Sequence, residues 1–320
     1  TNVHDKVENE NGILENLKKN RIPIILFEIG AYLHLLGRFS KEFIEAQAEK
    51  SSLSYDYKKI CKDDYFFEGS ELRDLLINNW AIFDKLTKAI PNLQTDKVIC
   101  FSDFIEKHAW SDKPKGLLKV LSDAHGVASG IDKGLAGMGK DVKKQSKENT
   151  FKSTAFGYEK EIELLQDENR NFVSDITKID NDKIKKTKKE FFDGLVDVLK
   201  IINENINKKE EEKEKYDNIY SQYKRFVELI KTYYPKTLGE TRRPINEISL
   251  YDYAHPIASL TKSNLIKVLA EGWFEPRGRS KWRILKINIE TIALLSKGLK
   301  IGDILGYKSA MDEAYEKIKE

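Results

Sequence analysis

Apolar residues recur along most of this chain at the spacing of helices with one buried face. Ile25, Ile29, Leu33, Leu36 and Phe43 follow that spacing and predict one amphipathic helix over Ile24–Ala48. A polar, aromatic stretch from Ser51 to Gly69 reads as an irregular loop. A second helix is predicted over Ser70–Ile90, with Ser70 as its cap and Pro91 beyond its end. Phe101–Trp110 reads as a short helix capped by Ser102. Pro114 stands where a first helical turn begins, and Leu117, Leu121, Ala124 and Ala128 mark one face of the helix that follows. Gly130–Thr154 is rich in Gly and Lys and reads as a loop. Phe156–Asp167, Ile176–Asn207 and Ser221–Tyr233 are helical by composition. The mixed-sign run Asn207–Tyr216 between them reads as a solvated helix end or a mobile connection. Pro235, Gly239 and Pro244 make Tyr234–Glu247 a connecting loop, and Ser249–Glu271 is a further helix. After Pro276 the texture changes. Trp282, Ile284, Ile287 and Ile289 alternate with polar residues, with a slip in phase near Lys286, and predict a strand over Trp282–Ile289. Thr291–Leu299 and Lys308–Lys319 read as helices, and no internal repeat is present.

The expected fold class is therefore mainly α, with an α+β texture beginning near the C-terminal end. A length of 320 residues suggests about two domains. With 40% hydrophobic and 33% charged residues, the chain is globular rather than disordered. The 55 Lys and Arg nearly cancel the 52 Asp and Glu, leaving +3, so any nucleic-acid contact must come from local patches. Two cysteines, Cys61 and Cys100, make neither a disulfide framework nor a thiolate metal site, and a reducing cytoplasm is expected. No apolar run approaches the roughly 18 residues of a membrane span. No signal peptide is evident. The chain opens on Thr and ends in what reads as an unfinished helix, so a piece of a longer protein is expected.

Four stretches, in order, carry a resemblance. They are Phe27-Glu-Ile-Gly-Ala-Tyr-Leu-His-Leu-Leu-Gly-Arg-Phe39, Leu121-Ser-Asp-Ala-His-Gly-Val-Ala-Ser-Gly-Ile-Asp-Lys133, Ile248-Ser-Leu-Tyr-Asp-Tyr-Ala-His-Pro256 and Trp282–Lys319. The first resembles the opening HD helix of the large subunit of type III CRISPR effector complexes, in that family's divergent branch. The second is similar to the segment that closes its HD motif set. The third resembles the signature before its first palm domain, and the fourth the first strand and helix of that palm. The resemblance implies a helical HD-like domain over 1–245, a helical connection over 246–278, and the start of a ferredoxin-like palm over 279–320. It implies a role in antiviral defence as a structural subunit around CRISPR RNA, in contact with other effector subunits and with single-stranded DNA or target RNA. Two activities belong to such proteins, cutting of single-stranded DNA by the HD domain and synthesis of cyclic oligoadenylates from ATP by the palms. The cyclase motif Gly-Gly-Asp-Asp is absent from these residues, so ATP is implied only for a palm further downstream.

HD sites hold divalent metal with His and Asp, and the metal supplies a hydroxide and stabilises the phosphate in transfer. The resemblance makes His34 the histidine of the pair, but Leu35 stands where Asp belongs and cannot donate an electron pair. The residual candidates are His34, His108, Asp123, His125 and Asp132, which suit Mn, Ni or Co. Gly30 and Gly37 lie on the face of His34, leaving either a ligand cleft or close helix packing around a satisfied histidine. Asp123, His125 and Asp132 make either ligands or surface polars at a helix end. The literal pair His4-Asp5 lies in a polar tail with no apolar helix behind it. On this reading the HD site is degenerate and the role here is mainly structural. A metal-dependent HD nuclease and a helical interaction protein unrelated to CRISPR are the alternatives.

Gly134-Leu-Ala-Gly-Met-Gly139-Lys140 has phosphate-loop spacing, but Asp141 replaces the magnesium-binding hydroxyl and no buried strand precedes it. Lys140, Lys143, Lys144, Lys147 and Lys152 give this region a positive field that suits a nucleic-acid backbone. Arg277, Arg279, Lys281 and Arg283, beside Trp273, Phe274 and Trp282, form a second basic cluster of the kind that holds single strands. A solvated loop and a domain junction are the plainer readings of the two. Asn288 stands near the place of a palm carboxylate and is a poor ligand for magnesium.

Overall fold

The computed structural model describes residues 12–39, 71–78, 100–107, 113–135, 180–237 and 249–272, with positions 83, 86, 90, 93, 164 and 239; for 130–135 it describes the backbone. The chain divides into two compact units, residues 1–278 and 279–320, and every described residue lies in the first. The strand expected over Trp282–Ile289, the palm start and, apart from Leu164, the helix expected over Phe156–Asp167 lie outside the described residues. The described residues are mainly helical.

Helix α1 (Arg21–Leu33) is the centre of the unit. Every residue from Ile22 to Leu33 is buried, including Glu28. A helix that is apolar all round must be covered all round, and neighbours do cover it. They are α3 (Phe101–Glu106), α6 (Glu212–Tyr233) and α7 (Leu250–Glu271). Phe27 packs edge-on against Phe104 at 5.5 Å between ring centroids, and Tyr32 against Phe226 at 6.0 Å. Helix α6 runs alongside α1 in the same sense, since Arg21 meets Tyr216 and Glu28 meets Tyr223. Helix α7 runs the opposite way, since Glu28 meets Lys262 and Tyr32 meets His255.

The expected helix over Ile24–Ala48 ends early, at Leu33, and residues 40–48 lie outside the description. The cause is local competition for carbonyls. His34 Nδ1 donates to Ala31 O, and the Leu35 N–H bonds Tyr32 O at 3.4 Å. Tyr234 Oη also donates to Tyr32 O, at 2.9 Å. The ladder tightens into the 3₁₀ turn Leu36–Arg38.

Helix α2 (Glu71–Ile77) stops at a bend at Asn78, so the helix expected over Ser70–Ile90 is interrupted there. Helix α3 is capped by Cys100 rather than Ser102. The Cys100 N–H donates to Asp103 Oδ2 at 3.0 Å, closing a capping box, and α3 ends at Glu106. Helix α4 (Gly116–Leu135) buries Leu117, Leu121, Ala124 and Ala128, the face expected for it. It also runs through Gly130 and Gly134, which correct the loop expected from Gly130 onward. Two glycines weaken a helix by about 1 kcal/mol each but do not forbid one.

Helix α5 (Asn181–Asn207) begins at Asp180, whose Oδ1 accepts from the N–H groups of Asp182 and Lys183 at 3.0 and 2.9 Å. It pairs with α6, and the charged run between them holds the short turn at residues 208–211. Tyr234–Lys236 form a 3₁₀ turn after α6. Ser249 caps α7, Gly272 ends it at φ 73°, and Pro256 sits within it without breaking it. This helix, expected as a connection, packs in the first unit against α1 and α4.

Candidate functional site

The polar groups of α1 are placed where α4, α6 and α7 converge on it. At its C-terminal end, His34 is fully buried. Its Nε2 lies 3.2 Å from Nδ1 of His125 on α4, and His125 Nε2 lies 3.1 Å from Tyr253 Oη on α7. The rings meet edge to face, at 5.1 and 5.8 Å between centroids. A carbonyl can only accept, so His34 must donate from Nδ1 to Ala31 O. In its neutral form His34 then accepts at Nε2 from His125 Nδ1–H, and His125 accepts at Nε2 from the Tyr253 hydroxyl. Proton direction is thereby fixed along Tyr253→His125→His34→Ala31, and both nitrogens of each imidazole are engaged.

Leu35, which stands where the resemblance would put Asp, is fully buried among apolar residues. The space beside Gly30 is filled, because a Cβ there would meet the Phe104 ring at 2.9 Å. Close packing, rather than a cleft, therefore flanks the histidine on that side. Arg38 places its guanidinium 4.5 Å from the Tyr253 ring centroid and donates to Gly239 O. A fixed cation so near disfavours a second one.

Of the other candidates, Asp123 is two residues from His125, about 200° around α4, and forms an ion pair with Lys119. It does not join the histidines. His108 and the side chain of Asp132 lie outside the described residues, as do Lys140, Lys143, Lys144, Lys147, Arg277, Arg279, Lys281 and Arg283. Gly134, the first residue of the phosphate-loop look-alike, is helical. Among the described residues, no group of three His, Cys, Asp or Glu side chains is placed to hold a metal ion. Also among them, no helix is long and apolar enough to cross a membrane.

A second polar cluster, which sequence reasoning missed, lies along α1 toward its N-terminal end. Buried Glu28 accepts from Tyr223 Oη and pairs with Lys262 Nζ, both at 2.8 Å. One turn on, Tyr32 Oη lies 2.6 Å from His255 Nδ1. Burial first, then the charge of Glu28, push the phenols of Tyr32 and Tyr223 far above the ordinary tyrosine range. Both stay protonated and donate. Burial lowers the His255 value, so its neutral ring accepts the Tyr32 proton at Nδ1 and carries its own hydrogen on Nε2. His255 also stacks on Tyr251, with centroids 5.4 Å apart and planes within 8°. The available signal was the alternation Tyr251-Asp-Tyr-Ala-His255 at the start of α7, with Tyr32 on α1 and His34 just past its end, two residues apart.

In comparisons with known proteins, no family model, no curated protein and no solved structure matches this chain.

Proposed function

We propose that this chain is the N-terminal part of a type III CRISPR large subunit, acting in antiviral defence, with a degenerate HD site and a mainly structural role around CRISPR RNA. The observation that carries the reading is convergence. Three of the four stretches with family resemblance meet in one hydrogen-bonded chain, through His34, His125 and Tyr253. His34 and His125 are 91 positions apart in sequence. Helices that converge on the pair histidine are what an HD-like arrangement needs. The engaged imidazoles, buried Leu35 and neighbouring Arg38 favour a structural centre over a metal centre. Affinity purification of the tagged protein from its native cells tests the reading. The expected result is copurification of a small RNA of discrete length and other effector subunits. A protein recovered free of RNA and partners would favour the helical interaction protein.

One observation favours an HD-type single-stranded DNA nuclease as the second reading. The facing nitrogens of His34 and His125, 3.2 Å apart, are about as far apart as two ligands of one tetrahedral ion. Cleavage of single-stranded DNA with manganese or nickel, lost in His34→Ala/Asp123→Ala, would establish this reading. Absence of cleavage in both proteins is the result expected of the structural centre.

A further inference from the structure

We draw no further inference here: the strongest candidate, the Glu28–Tyr223–Lys262 and Tyr32–His255 cluster in the seam of α1, α6 and α7, belongs to the polar centre already described, and its hydrogen bonds close among the fold's own side chains with nothing in the structure to show what ligand would meet it.

Discussion

His34 shows how one side chain can end a helix and join two others. Its Nδ1 takes the carbonyl of Ala31, and its Nε2 faces His125. A buried donor or acceptor that loses its partner costs about 1–3 kcal/mol. His34→Leu and His125→Leu should therefore each lower stability by at least that much in urea unfolding. The double variant should cost less than the sum, with a coupling of about 0.5–3 kcal/mol; strict additivity would show that the two rings do not interact. His255 makes a separate pH prediction. Its value is lowered in the fold by burial, so the unfolded chain binds the proton more readily. Its contribution is complete above the ordinary value of 6.5 and is lost as pH falls from there through the folded value. Because His255 is exposed, the effect is small: between about pH 7.5 and 5.5 the acid-side loss of melting temperature should be slightly less steep in His255→Asn than in wild type. An unchanged slope would remove His255 from the account.

At the scale of elements, close approach separates two glycines that look alike in sequence. A Cβ on Gly30 would press on three atoms of the buried Phe104 ring. Overpacking of this kind costs about 1–3 kcal/mol, so Gly30→Ala should destabilise despite its better helix propensity. A Cβ on Gly194 meets only the far end of the half-buried Leu229 side chain, which can shift more easily than a ring, and Gly194→Ala should change stability by less than about 1 kcal/mol. Chemical denaturation of both variants checks the contrast, and equal losses would contradict it. The same contrast explains what was legible. Helix α7 could be bounded from sequence because its signals are local, a capping Ser249 and a glycine at its end. The buried face of α4 was legible in its spacing. The end of α1 was not, because it depends on a histidine ring and a distant Tyr234 competing for carbonyls. The extension of α4 through Gly130 and Gly134 was hidden because composition there favours a loop. His34 and His125 could be named as candidates, yet Tyr253, Arg38 and Glu28 gain their roles only from helix packing.

At the scale of the whole molecule, α1 threads the first unit as a buried axis, with α6 and α7 lying along it in opposite senses. Its polar residues are satisfied by partners from those helices and α4, which couples the packing to the chemistry of the centre. At residue 35 the fold holds an apolar side chain, since Leu35 adds to the core while the histidines beside it bond to one another. The central claim is that His34 and His125 form a closed hydrogen-bonded pair rather than a metal centre. Calorimetric titration of the intact chain with manganese or nickel, beside His34→Ala/Asp123→Ala, tests it directly. The account predicts no tight stoichiometric site in wild type and no difference between the two proteins. One equivalent bound tightly by wild type and lost in the variant would contradict it.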